Sequence, residues 1–228
     1  MTNLPTIQPA NTPHALSEEF KRMVDDFFTV QCRYQAAIRE VQTKLEILDD
    51  EFQMKHRRNP IHHMQSRMKT IQSMMEKLRR KQCELSIGSA VEHLTDIAGV
   101  RVICSYLRDV YAVANLLISQ DDVQLVRLRD YIQTPKENGY QSLHLIVEVP
   151  VFLAEGRVLV HVEVQIRTIA MDFCASLEHS LRYNAHEGVP EEISAELKQT
   201  ALDIAALDQR MQSIHDRVEA LSQENHLD

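Results

Sequence analysis

Residues 161–167, HVEVQIR, alternate without a break: His161, Glu163, Gln165 and Arg167 share one face of an extended chain, and Val162, Val164 and Ile166 share the other. The apolar face must meet a core. GVRVICSY, VQLVRLRDY and QSLHLIVEV are similarly rich in β-branched residues, and with RVLVHVEVQIRT they predict four strands between Gly99 and Thr168. A strand in such company belongs at the centre of a sheet, where its polar face lines a cleft; the alternative is an edge strand with an ordinary solvated face. A helical segment from Asp109 to Ser119 separates the first two strands. That order fits an α/β or α+β fold, a mixed sheet flanked by helices, better than a sandwich.

Helical periodicity frames these strands. Leu16, Phe20, Phe27, Tyr34, Ile38, Val41, Leu45, Leu48 and Phe52 predict a long amphipathic helix, followed by the basic connection KHRRNPIHH with its break at Pro60. A second helix is expected from Met64 to Arg80, and a third from Ile169 to Tyr183 directly after the last strand. Pro190 opens a final helix whose Ile204, Leu207, Met211, Ile214, Val218 and Leu221 lie three and four residues apart, a stripe suited to packing on its own domain or to a subunit contact. The expected organisation is a disordered Pro-rich start over residues 1–15, one domain over 16–190 and a C-terminal amphipathic helix over 191–228.

No apolar run approaches the roughly 18 residues of a membrane span, and the first residues lack a basic flank ahead of an apolar core, so a cytoplasmic protein is expected. Cys32, Cys83, Cys104 and Cys174 never form a CxxC pair, which points to reduced thiols. A net charge of −8 disfavours a general nucleic-acid coat while leaving room for a local phosphate site. Only five glycines occur, and none are spaced for a Walker or GxGxxG loop. Any nucleotide phosphates must therefore be gripped by cationic side chains and metal.

Several residues suit that task. Asp96, in HLTDIAGVR, precedes a strand, and with Glu163 it can supply the one or two carboxylates that Mg²⁺ commonly takes from a protein. Arg67, Ser73 and Lys77, with Lys69 beside them, form a patch on the predicted helix SRMKTIQSMMEKL. In RDYIQTPKENGYQSLHLIVEVP a turn accounts for Pro135, Asn138 and Gly139, but not for Lys136, Tyr140 and His144.

In this order, SRMKTIQS, TDIAGVRV, RDYIQTPKENGYQSLH and VEVQIRT resemble the synthetase domain of RelA/SpoT homologues, which make the alarmones ppGpp and pppGpp. The resemblance spans about residues 20–220 and lacks counterparts of the family's hydrolase and regulatory domains, as in a stand-alone small alarmone synthetase. It implies a nucleotidyltransferase-like sheet and a stringent-response enzyme that moves the β,γ-pyrophosphate of ATP to the 3′-hydroxyl of GDP or GTP, releasing AMP. Asp96 and Glu163 match the magnesium-binding carboxylates, and Glu163 also matches the group that takes the hydroxyl proton. Arg67, Lys69, Ser73 and Lys77 match the ATP-phosphate motif, with Arg67 and Arg101 flanking adenine. Lys136 and His144 match holders of the acceptor phosphates, Tyr140 the tyrosine that stacks on guanine, and Asn138 and Gln165 complete the acceptor set.

A homo-oligomer is implied, a tetramer as in close relatives. In relatives with an alarmone-activated central cleft, basic residues line the first helix; here VQTKLEILDDEF offers Gln42, Glu46 and Asp49 with only Lys44 positive. The tryptophan that the family carries in the helix after the last strand is missing, the segment here reading MDFCASLEH with Cys174. Rival readings are a catalytically silent guanine-nucleotide sensor, which would need no paired metal carboxylates, and RNA binding through KHRRNPIHH, which lacks interleaved aromatics. The histidines of that connection have no settled transition-metal spacing.

Overall fold

Strand β5 (Gly156–Thr168) takes the central place that its alternation demands. It pairs parallel with β2 (Ala98–Cys104) and antiparallel with β4 (Leu143–Leu153), and the five-stranded sheet is closed on its two edges by β1 (Ile61–Met68) and β3 (Gln124–Asp130). The edge-strand alternative for HVEVQIR is thereby removed. The computed structural model describes residues 18–56, 58–184 and 189–224; the expected disordered start and Leu16 lie outside them.

One face of the sheet is covered by α1 (Glu18–His56) and α4 (Leu107–Ile118). Ile38, Val41 and Leu45 of α1, at most 1% exposed, recur at the three-and-four spacing read from the sequence. Burying each contributes about 1.5–3 kcal/mol. Val110, Val113, Ala114 and Leu117 present the matching face of α4, and Val160, Val162, Val164 and Ile166 of β5 meet both helices from below. The other face, which carries the polar half of β5, is left open for chemistry.

The segment expected as a single helix from Met64 to Arg80 is instead strand β1 followed by α2 (Ile71–Arg80). Met64 and Met68 pack toward the core, and Gln65 and Arg67 pair across the edge of β2 with Arg101 and Gly99. Their alternation is period two, and tertiary pairing outweighs the helical propensity of the stretch. The helix begins only after Thr70, whose hydroxyl oxygen accepts from the Ser73 backbone N–H at 3.2 Å as an N-cap. A short helix, α3 (Ile87–His93), precedes β2 and was not anticipated.

After β5 the chain turns into α5 (Ile169–Asn184) and α6 (Glu191–Glu224), as expected. Of the stripe on α6, Ile204 is half-buried beside the turn at Gly139 and Tyr140, whereas Leu207, Met211, Ile214, Val218 and Leu221 are 44–60% exposed; Ala201 and Asp208 face inward. Phe173, Leu177 and Leu181 of α5 form a second exposed apolar row. The basic connection is also spent structurally. Both terminal nitrogens of Arg58 donate at 2.8 Å to Asp109, which is 1% exposed in the first turn of α4. All four cysteines are free.

Candidate active site

Side-chain parity brings Glu163 and Gln165 of β5 onto the open face, where Glu163 is flanked by Gly99 of β2 and Ile146 of β4. Because residue 99 has no side chain, a groove opens there between Arg67 and Arg101, floored by Glu163 and Gln165. Arg67 and Arg101 stand on adjacent antiparallel strands, Arg67 opposite Gly99 and Arg101 opposite Gln65. Two guanidinium planes bordering one groove provide a place for a flat aromatic base.

Lys69, in the connection after β1, and Lys77, two turns into α2, place their ammonium groups 2.7 and 2.6 Å from the same oxygen, Oδ2 of Asp96. Ser73 lies in the first turn of α2, where unsatisfied backbone N–H groups and the helix dipole favour an anion. The four residues read as one helix face thus come from a strand, a connection and a helix.

The residues expected on the acceptor side are built on the turn after β3. Gly139 has φ +82°, a conformation that glycine adopts without penalty, and its N–H donates to the Lys136 carbonyl at 2.8 Å. This turn folds Lys136 back over Tyr131 and Tyr140, with its ammonium 4.6 Å from each ring centroid. The Tyr140 hydroxyl lies 2.9 Å from His144 Nε2, and His144 Nδ1 lies 3.6 Å from Glu163 Oε1. His144 is therefore both a bonded structural histidine and the link between the acceptor ring and the carboxylate. Asn138 has both side-chain functions engaged inside the protein: Oδ1 accepts from the Tyr140 N–H at 3.3 Å, and Nδ2 donates to Glu178 Oε1 at 2.8 Å.

Burial opposes ionisation of Asp96, but hydrogen bonds from Lys69 and Lys77 outweigh it and hold the carboxyl below the usual range. Burial likewise opposes ionisation of Glu163, and His144 with the Gln165 amide, which donates at 2.8 Å, brings it below its usual value. Burial pushes the Tyr140 phenol up, so it stays neutral. Asp96 Oδ1 is buried without a hydrogen-bond partner, a deficit of about 1–3 kcal/mol if left unmet. Asp96 and Glu163 line one cleft, and an orphaned carboxylate oxygen beside a second carboxylate suits a hard cation that fills its remaining positions with water and substrate phosphate. Among the described residues no group of three or more His, Cys, Asp or Glu side chains forms a closed metal cage.

Two arginines escaped the sequence reading. Arg127 and Arg129 of β3, in register with Ile146 and His144, line the same cleft as Asp96 and Glu163. Their signal lies in VRLRD, two cations one strand-period apart, where the β-branched residues around them dominate the pattern. The polar face of β5 is also less uniform than expected. Arg167 is 2% exposed and pairs with Asp172 of α5 at 2.7 Å, because α5 covers that end of the strand. Arg101 approaches the same carboxylate at 4.0 Å, and His161 pairs with Glu148 at 3.4 Å.

Residues 66–188 match the family model described as a region found in RelA/SpoT proteins. The chain is 44% identical over 202 residues to the GTP pyrophosphokinase YwaC of Bacillus subtilis, covering 89% of this chain and 96% of that protein. The fold is similar to the crystal structure of small alarmone synthetase 2 from B. subtilis, with a TM-score of 0.77 at 44% identity over 84% of this chain and 99% of that one. Small alarmone synthetase 1 from the same organism, solved bound to its product pppGpp, aligns with a TM-score of 0.75 at 36% identity over 81% of this chain and 94% of that one. The residues that line the cleft, the sheet that carries them and these likenesses lead to one conclusion: the chain belongs to the RelA/SpoT family.

Proposed function

We infer that this chain is a GTP pyrophosphokinase that transfers the β,γ-pyrophosphate of ATP to the 3′-hydroxyl of GDP or GTP, giving ppGpp or pppGpp and AMP. The observation that carries the reading is the meeting, on one open sheet face, of two ionised carboxylates, a convergent set of cations and an aromatic acceptor turn. A sensor that only binds nucleotide has no use for the carboxylate pair.

Adenine lies between Arg67 and Arg101, and its phosphates run toward Lys69, Ser73 and Lys77. The lysines are held on Asp96 beforehand and pass to the phosphates with little reorganisation, as preorganised stabilisation requires. Arg127 and Arg129 close the far side. Guanine stacks on Tyr140, and Lys136 and His144 face the acceptor phosphates. The 3′-oxygen attacks the β-phosphorus as its proton passes to Glu163 and on to solvent, the bond from that phosphorus to the α-phosphate oxygen breaks, and AMP leaves with the charge. Asp96 and Glu163 would hold Mg²⁺, which when bound supplies charge neutralisation at the phosphates. The depressed pKa of Glu163 makes it a weak proton acceptor, so holding and orienting charge is its larger part.

The exposed rows on α5 and α6 support assembly as a homo-oligomer, a tetramer as expected from the resemblance. Among the described residues no helix is long and apolar enough to cross a membrane, which accords with action in the cytoplasm. Incubation with labelled ATP and GDP under Mg²⁺, with the products resolved, tests the activity. Appearance of AMP and ppGpp in equal amounts is expected; hydrolysis alone, or binding without turnover, would overturn it.

A further inference from the structure

The Asn138–Gly139 turn that delivers Tyr140 rests on two helices to which neither sequence nor resemblance assigned a part in acceptor binding. On one side, Asn138 Nδ2 donates to Glu178 Oε1 of α5 at 2.8 Å. On the other, α6 passes so near that a Cβ at Gly139 would lie 2.8 Å from the Ala201 Cβ and 3.4 Å from the Lys198 carbonyl oxygen. Ala201 is 7% exposed, so a larger side chain there must displace the turn or the helix. The helix itself is fixed to the catalytic strand: Thr168, the last residue of β5, donates its hydroxyl at 2.6 Å to Asp208, which is 7% exposed.

We propose that Glu178 and Ala201 are positioning residues for the guanine acceptor, holding the Asn138–Gly139 turn so that the Tyr140 ring stands at a fixed place relative to Glu163. Gly139 immediately precedes Tyr140, so any rotation at the turn swings the ring off the acceptor base stacked on it and weakens acceptor binding. Residues 134–137 ahead of the turn are exposed, and of these Lys136 is tied, among the described residues, only to the turn itself and to the two tyrosine rings beneath it. The bond from Asn138 and the close approach of α6 supply the rigidity that a loop-borne site otherwise lacks. The residues proposed to hold adenine and its phosphates, by contrast, are carried mainly by β1, α2 and β2, which precede the turn in the chain. The acceptor is therefore the substrate expected to depend most on this platform.

The inference rests on the proposed pyrophosphate transfer, so the parent chain's own turnover is the control. Initial rates are measured with GDP and ATP varied separately in Glu178→Ala, Glu178→Gln and Ala201→Leu. Loss of one hydrogen bond to a charged acceptor, or displacement of the turn, is expected to raise KM for GDP about tenfold. KM for ATP and kcat at saturating GDP stay within about threefold of the parent. Glu178→Gln keeps an oxygen that accepts from Asn138 and returns KM for GDP to within about threefold. Unchanged KM for GDP in Glu178→Ala and Ala201→Leu, equal rises for GDP and ATP, or no rescue by glutamine would overturn the proposal. A parent chain without turnover would instead overturn the functional reading, and if Glu178→Ala fails to fold, Ala201→Leu and Glu178→Gln decide the matter.

Discussion

Tyr140 allows stacking to be separated from hydrogen bonding. Replacing it by alanine removes the ring on which guanine is expected to stack, a contribution of about 1–3 kcal/mol per base in nucleic-acid systems. It also removes the face beneath the Lys136 ammonium, at 4.6 Å, which contributes about 0.5–1 kcal/mol at an exposed site. With the 2.9 Å bond to His144 Nε2 that alanine also removes, about 0.5–1.5 kcal/mol, these predict a rise in KM for GDP of roughly 30- to several-thousand-fold, since each 1.4 kcal/mol is about tenfold. Tyr140→Phe retains the ring and loses only the 2.9 Å bond to His144 Nε2, about 0.5–1.5 kcal/mol, hence a rise of roughly two- to tenfold. The assay is AMP release with one substrate varied at a time. KM for ATP should stay within about twofold in both variants, because the residues proposed to hold adenine and most of its phosphates lie on β1, α2 and β2. If alanine raises both constants by the same factor, or phenylalanine is as damaging as alanine, the tyrosine is a structural residue and the stacking argument fails.

Other perturbations probe separate parts of the molecule. Glu163→Gln keeps the shape and a hydrogen-bond acceptor for Gln165 but loses the charge; turnover should fall by about 10³-fold, on the scale of losing one electrostatic contact to the transition state, with little change in thermal midpoint. Turnover within tenfold of the parent in a folded variant would remove Glu163 from the chemistry. Burial pushes the Asp208 carboxyl up, outweighing the hydrogen bond from Thr168, so the folded state binds its proton more tightly than the unfolded chain. Its contribution to stability is complete below the unfolded pKa of about 4 and is lost as pH rises through the folded value. Asp208→Asn, which still accepts from Thr168, should therefore gain stability relative to the parent as pH rises from about 4 through the raised folded-state value; a gap between their denaturation midpoints that does not change with pH would refute this. Finally, Lys44, the one cation of VQTKLEILDDEF, is paired with both oxygens of Asp122 at 2.8 and 2.7 Å, and Glu46 is exposed on the same helix. Light scattering should show an oligomer, and added pppGpp should leave its basal rate unchanged; saturable stimulation lost on substitution along α1 would contradict the second expectation.

The parts of the site that were legible in the sequence are those whose position follows from local periodicity. Val162, Val164 and Ile166 can satisfy a core only if Glu163 and Gln165 face the other way, so the cleft side of β5 was fixed by parity before any partner strand was known. Asn138–Gly139 announced a turn because few other residues accept its backbone geometry, and the structure places Gly139 at φ +82°. Arg67 was misplaced for the converse reason. An eight-residue edge strand carrying two histidines, a glutamine and an arginine has weak intrinsic preference, and only its pairing with β2 decides its form. Convergence from distant parts of the chain was likewise hidden. Lys69 and Lys77 meet Asp96 from 27 and 19 residues away, and Arg129 comes beside His144 through a cross-strand pair. The stripe on α6 was visible, but its direction was not, because spacing alone defines a face without saying what lies against it. Only with Ala201 and Asp208 packed inward does the row from Leu207 to Leu221 turn outward, so one helix can seat the acceptor turn on one side and offer an apolar surface on the other.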